Sequence, residues 1–591
     1  MILVRIRAGL RALPGTLATA WLIALVTADV GPARAQPAAS ATERLIELLV
    51  DKGILPRDQA AALMRQAQQE AQAAKPARPA RVAAAAKPPA SAVPGGVPAG
   101  SNAAALSAAD TLPAGTVRVT YVPETVRQQI ATQVRDQIMT QSKNEGWAQP
   151  NAMPEWVQRL TFFGDLRLRG EANLLQKSNY PYFVDFNSIN NSAGFDTTGG
   201  ALPPLLDSTE NRTRFRLRAR LGVDAKIDDA VMAQFRIATG NDNSPVSSNQ
   251  TLGANGSFTK YAVWADRAFI KGSPTDWLTL YGGRMPNPFW TSDLVFYDDL
   301  GFDGFAAQAT PRFNERWGGF LTAGLFPVMN TALNFGSTSP PANRSSRDAY
   351  LVAAQGGVDW RISDDYAAKF AVGYFSFNGV QGQTSSPCSI LYSSDTCNTD
   401  NTRPLFLQFG NTVFPIRNIV PNPNTANGGP APQYYGLASQ FGVLDLHGRF
   451  DFNNFKPIGV ALEGDFATNL SYNKSQVINR SPSNNFDANN QYKGGSNAYL
   501  ARIIVGTPAI AKRWDWNVSA TYKYLDTDAV LAALTDPDFH LGGTNARGFI
   551  LGGNLGLARN TWLTTRWLSA NQVSGPPYAI DILQIDLNVK F

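Results

Sequence analysis

The chain has 591 residues, of which 44% are apolar and only 17% charged, with 50 glycines, 38 prolines and a formal net charge of +6. That length calls for more than one structural unit, and the aromatic, glycine-rich composition suits a large β-structure rather than a helical enzyme. Without its first 35 residues the charge falls to about +3, too even for the concentrated basic footprint of a nucleic-acid-binding protein, and two cysteines exclude a disulfide-stapled scaffold.

Residues 1–35 read as a secretory signal. Arg5, Arg7 and Arg11 form a basic start, Leu17 to Val26 an apolar stretch, and Ala33-Arg34-Ala35 a small-x-small cleavage site. The apolar stretch is far short of the ~20 residues a spanning helix needs. Residues 36–74 form a small helical segment. Ser40-Ala41-Thr42-Glu43 has capping-box spacing, Leu45, Ile46, Leu48 and Leu49 make a stripe, Gly53 ends the first helix and Pro56 begins a second. Residues 75–115 are an Ala/Pro-rich linker without periodicity, expected to be disordered. Residues 116–158 hold a helix and connector. Val126, Ile130, Val134 and Ile138 share one face, which either packs on its own neighbours or pairs between subunits as a coiled coil.

From residue 159 to 591 the period switches to two. Leu160, Phe162, Gly164, Leu166 and Leu168 alternate with Arg159, Thr161, Asp165, Arg167 and Arg169, with Phe163 the exception. Phe215, Leu217, Ala219, Leu221 and Val223 alternate with Arg212, Arg214, Arg216, Arg218 and Arg220. Leu583, Ile585, Leu587, Val589 and Phe591 alternate with Gln584, Asp586, Asn588 and Lys590. No apolar run of 18 residues follows the signal, so a helical membrane protein is excluded, and such strands suit a sheet with lipid on one face and water on the other. Sixteen antiparallel strands are expected, beginning near residues 159, 211, 229, 259, 276, 302, 315, 347, 365, 437, 457, 491, 513, 547, 561 and 578. Asp266 and Arg267 leave the register of the fourth unclear. Short turns, as at Ile227-Asp228-Asp229-Ala230 and Ser273-Pro274-Thr275, alternate with longer polar loops, the longest from 378 to 436. That asymmetry predicts an all-β outer-membrane barrel with both mature ends periplasmic.

In order, Phe163-Gly164-Asp165-Leu166-Arg167-Leu168-Arg169, Asn211-Arg212, Ala238-Thr239-Gly240-Asn241, Gln250-Thr251-Leu252, Asp266-Arg267-Ala268, Gly283-Arg284 with Asn287-Pro288-Phe289-Trp290, and Leu583-Gln584-Ile585-Asp586-Leu587 resemble the family called putative porins of Gram-negative outer membranes. Glu43 to Val50 is similar to the family's periplasmic start. The resemblance spans residues 40 to 591 and implies a passive outer-membrane channel without naming a solute. It does not extend to the cysteine-bearing loop.

The arginines at 212, 214, 216, 218 and 220 cannot face lipid, where an arginine at mid-depth costs roughly 2–4 kcal/mol. With Arg167, Arg169, Arg236 and Arg284 they are expected to line the lumen, either as a solute-facing basic track or as a wall braced by Asp165, Glu171 and Asp224. The third long loop, 286 to 301, carries Asp293, Asp298 and Asp299 and is either an inward constriction or an ordinary external loop. General trimeric porins have an acidic third loop in a similar position. Cys388 and Cys397 are expected to form a disulfide, as cysteine pairs outside the cytoplasm do.

The expected function is passive diffusion of small polar solutes or ions with a mild anion preference. An enzyme is not expected: only His447 and His540 are available, and no HExxH, paired CxxC, GxSxG or P-loop occurs. The alternatives are a barrel lipase or protease and an energy-coupled transporter, which would need around 22 strands and a plug. No metal or cofactor is expected. Expected partners are outer-membrane lipids, the barrel assembly machinery and other copies in a homotrimer.

Overall fold

The computed structural model describes residues 155–240, 244–331, 347–392, 394–422 and 428–591. The signal, the helical segment 36–74, the linker and all but the last residues of the 116–158 connector lie outside these residues. A single turn of helix, α1 (Glu155–Gln158), leads into the sheet.

Sixteen strands follow: β1 (Leu160–Leu175), β2 (Arg212–Lys226), β3 (Val231–Ala238), β4 (Trp264–Thr275), β5 (Leu278–Pro286), β6 (Gly301–Ala309), β7 (Trp317–Met329) and β8 (Ala349–Arg361). The second half is β9 (Tyr366–Asn378), β10 (Phe441–Phe455), β11 (Ile458–Asn469), β12 (Asn497–Gly506), β13 (Trp516–Leu525), β14 (Ala546–Ala558), β15 (Thr561–Gln572) and β16 (Ala579–Lys590). Each pairs antiparallel with its sequence neighbours, and β1 pairs with both β2 and β16, so the sheet closes. Closure removes both sheet edges, so every strand has a partner on each side for its backbone polar groups, as a spanning structure without water requires. At the seam, Phe591 exchanges two backbone hydrogen bonds of 3.0 Å with Gly164.

The two-residue period decides which side each residue sees. On β1, Leu166 and Leu168 are exposed on the outer face while Arg167, Arg169, Glu171 and Asn173 are buried within. On β16, Leu583, Ile585 and Leu587 face out and Ile582, Gln584 and Asp586 face in. Phe163 breaks the pattern because its ring lies over Gly222, its partner on β2, where no Cβ stands in the way.

The register expected to be unclear at Asp266 and Arg267 has a structural cause. Arg236 pairs with Arg267 but Ile237 pairs with Ala265, leaving Asp266 as the extra residue of a bulge. An extra residue shifts the alternation by one, so no single two-residue pattern fits the strand. Two other strands begin later than their patterns suggest. Tyr435–Leu437 leaves the barrel sheet to pair with Val413–Pro415, so β10 starts at Phe441 rather than near 437. Tyr492 bridges Phe486 within its own loop, so β12 starts at Asn497 rather than near 491.

Both ends of the barrel chain lie at the end closed by the turns 227–230, 276–277, 310–316, 362–365, 456–457, 507–515 and 559–560. The opposite end carries the longer connections, including 176–211, 239–263, 287–300, 379–440, 470–496 and 526–545. These loops pack on one another. Pro432–Gln433 pairs with Phe195–Asp196, and the Asn190 amide donates to the carbonyls of Tyr435 and Pro404.

Candidate functional site

The register of β1 and β2 sets up an electrostatic problem. Arg167 stands opposite Arg218, and Arg169 opposite Arg216. Like charges directly across a strand pair repel, and burying them unpaired costs more. Strand neighbours supply some relief. Asp165 takes Arg218 at 2.9 Å and Arg220 at 2.6 Å, and Glu171 takes Arg214 at 2.5 Å and Arg216 at 3.4 Å. Arg169, with no exposed side-chain surface, is met by Asp586 of β16 at 2.7 Å.

The remaining carboxylates are delivered by two connections that fold into the barrel. From 287–300, Asp299 reaches Arg218 at 3.1 Å and Arg220 at 2.7 Å. From 526–545, Asp538 reaches Arg169 at 2.9 Å, Arg566 at 2.7 Å and Arg216 at 4.0 Å. The two connections also bind each other, the Tyr297 backbone N–H donating to the Leu534 carbonyl at 3.0 Å.

The 287–300 connection crosses the lumen and is fastened on both sides. Asp293 turns away from the β1–β2 wall to Arg502 at 2.6 Å and Lys523 at 3.2 Å, on β12 and β13. Lys523 is shared with Asp536 of the second connection at 3.3 Å. The Ser292 hydroxyl donates to Asp465 at 2.5 Å, and the Trp290 N–H donates to Gln355 at 2.8 Å. Apolar contact completes the hold. Phe289 packs against Phe302, Phe326 and Phe375, and Phe296 against Phe302 and Phe375, with centroids 4.9–6.0 Å apart.

The three acids of this connection therefore differ. Burial would raise Asp299, but Arg218 and Arg220 outweigh it and hold the carboxyl down at about 2. Asp293 is likewise held below the usual carboxylate range by Lys523 and Arg502 against the pull of burial. Asp298 has no cation within ion-pair reach among the described residues, and it is exposed. Surrounding protein, then the charges of Asp293 and Asp299, push it up to about 6.

The other expected site residues are placed as follows. Arg236 pairs with Asp266, Arg284 with Asp303 at 2.7 Å, and the side chain of Arg212 is exposed near the loop end of β2. Arg167 donates to the Asn249 side chain at 2.5 Å rather than to a carboxylate. Cys388 and Cys397 are joined as a disulfide and buried in the 379–440 connection, which also encloses an Arg417–Asp400 pair at 2.6 Å. His447 stacks on Trp290 and lies 3.0 Å from Glu463, while His540 packs against Phe409 and Tyr578. Sequence reasoning missed Asp536 and Asp538. Their only signal is two acids flanking Pro537 in a connection without periodicity.

A closed antiparallel barrel with an apolar outer face, an ion-paired lumen and two connections folded inside belongs to the class of outer-membrane channels. The family model described as "Putative porin" matches residues 39–591, and the chain belongs to that family of outer-membrane porins. No curated protein matches the chain. Solved structures similar to it include the outer membrane channel DcaP of Acinetobacter baumannii, at 10% identity, 73% of this chain, 97% of that one and a TM-score of 0.34. OprB of Pseudomonas putida matches at 9% identity, 74% and 96% coverage and a TM-score of 0.38. The anion-selective porin of Comamonas acidovorans matches at 9% identity, 73% and 99% coverage and a TM-score of 0.32.

Proposed function

We propose that this porin lets small polar solutes and ions diffuse passively through its lumen with a mild preference for anions. The observation that carries the reading is the charge balance of the β1–β2 wall. Arg167, Arg169, Arg212, Arg214, Arg216, Arg218 and Arg220 outnumber the acids that reach them, namely Asp165, Glu171, Asp299, Asp538 and Asp586. A net positive wall in a low-dielectric lumen concentrates anions, and pairing keeps the excess small. The test is the reversal potential across a planar bilayer under a KCl gradient. The parent favours chloride, and Arg216→Gln with Arg218→Gln moves selectivity toward potassium by removing two positive charges beside Glu171 and Asp299, which keep Arg214 and Arg220. Cation selectivity in the parent, or an unmoved potential in the double variant, would mean that the row only braces the barrel.

In this reading the turn end faces the periplasm, with the region before β1 in that compartment. The alternation of turns and loops supports it. An epitope inserted near residue 400 is then reachable on intact cells and one near 364 is not; the reverse result refutes the orientation.

A further inference from the structure

At the loop end the connections enclose a cavity of about 370 Å³ whose chemistry differs from that of the lumen. Tyr180, Tyr182, Phe183, Phe409 and Phe486 give it aromatic walls, and Asn187, Asn484 and Gln572 contribute amides. No Lys, Arg or His is among its described lining residues, and its single acid, Asp185, already accepts from the Ser188 N–H and hydroxyl. An anion would find no counter-charge here.

One feature shows unused binding capacity. Tyr180 and Tyr182 leave 39% and 55% of their surfaces exposed, and neither phenol hydroxyl is hydrogen-bonded among the described residues.

The walls are also fixed before any ligand arrives. Asn484 and Asn485 clamp the 379–440 connection by donating to the Asn411 and Gly410 carbonyls, at 3.0 and 2.9 Å. Phe183 holds Phe409 edge-on at 5.5 Å. Gln408 donates to the Ala532 carbonyl at 2.6 Å, so the cavity's floor rests on the inward connection that carries Asp538. Pre-formed, mostly apolar walls with a few convergent polar groups, at this volume, are the properties of a small-molecule site.

We propose that this cavity binds an uncharged, ring-shaped, hydroxyl-bearing solute of the size of a mono- or disaccharide at the mouth of the channel. The flat apolar face of such a ring stacks on Tyr182, and Tyr180, whose ring stands at 72° to that of Tyr182, flanks it. Its hydroxyls exchange hydrogen bonds with the two phenols. The inference deepens the diffusion reading by naming a solute class, and it rests on that reading only for passage, not for binding.

The test is saturation-transfer NMR on the purified full-length protein in detergent, with maltose and methyl glucoside as probes and gluconate as the charged control. The parent transfers saturation to both neutral sugars and not to gluconate. Tyr182→Ala, which removes a stacking face, weakens transfer about two- to tenfold, the range one aromatic contact supplies, and Ser483→Trp, which fills the cavity, abolishes it. Ser483 and Tyr182 lie outside the barrel strands, so both variants still fold, insert and conduct KCl, which reports an intact channel whatever the size of the current. A conducting parent with no transfer to either sugar overturns the site and leaves the diffusion reading standing. Equal transfer to gluconate, or unchanged transfer in both variants, overturns it as well.

Discussion

On the β1–β2 side of the lumen, Arg169, Arg216, Arg218 and Arg220 hold the incoming connections through Asp299 and Asp538. Across the barrel, on β6, β7 and β9, Phe302, Phe326 and Phe375 hold Phe289 and Phe296 by ring packing, with a neutral clasp from Gln355 of β8 to Trp290. The two walls fasten the same segment by different physics. Ring packing is indifferent to protonation, and a ring lost from it leaves a cavity whose cost depends on how far the site can collapse. An ion pair fixes orientation, but removing one partner strands the other as an unmatched buried charge. A loop held both ways is positioned by its acids and weighted down by its aromatics.

The largest effect tests that division directly. Asp538→Asn strips Arg566 of its only carboxylate within ion-pair distance among the described residues and weakens Arg169 and Arg216, at a cost of about 3–5 kcal/mol. Phe296→Ala leaves a cavity against Phe302 and Phe375 that collapse partly fills, for about 3 kcal/mol. Both are read as a fall in the temperature at which the folded barrel loses its fast mobility on gels, with noisier single-channel current. If Phe296→Ala proves the more damaging, packing alone holds the loop and the acids only decorate it.

The smallest effect sharpens the comparison, because Asp298 takes part in neither wall. Its carboxyl titrates at about 6, above the ordinary range, so it is neutral at pH 5 and charged at pH 7. A raised carboxyl stabilises the folded loop fully below the unfolded value near 4, and this contribution is lost as pH rises through 6. The anion preference is therefore expected to decline between pH 5 and pH 7, and in Asp298→Asn to stay at its pH 5 level. A parent whose reversal potential is flat over this interval would place Asp298 outside the ion path. Asp299, held at about 2, releases its grip on Arg218 and Arg220 only as pH falls from about 4 through 2.

How far the sequence could be read follows from the same physics. Strand positions were legible because lipid on one side and water on the other enforce a two-residue period, and most expected strand starts fall within three residues of the observed ones. The period failed where the backbone itself departs from it, at the Asp266 bulge and where Tyr435–Leu437 and Tyr492 pair outside the barrel. The 287–300 connection was legible as a candidate because Asp293, Asp298 and Asp299 stand together in the third long loop; the structure adds the apolar anchors Phe289, Leu294, Val295 and Phe296, which are buried. The 526–545 connection was not, because Asp536 and Asp538 acquire meaning only once β1, β2, β13 and β15 bring Arg169, Arg216, Lys523 and Arg566 around them. Pairing between residues hundreds of positions apart leaves no trace in local spacing.

That separation has a consequence for how the barrel is built. Arg169 lies on the first strand, yet its two main partners, Asp538 and Asp586, are 369 and 417 positions further along the chain. Until β1 and β16 meet, Arg169 has only Glu171 of its own strand, at 3.8 Å, and it can leave water cheaply only when the seam closes and the 526–545 connection drops in behind it. A barrel stalled with its seam ajar would keep a solvated arginine where the finished molecule has a dry one. The network that narrows the lumen thus also penalises every incomplete ring, and closure of the β1–β16 seam is the step at which the interior can dehydrate.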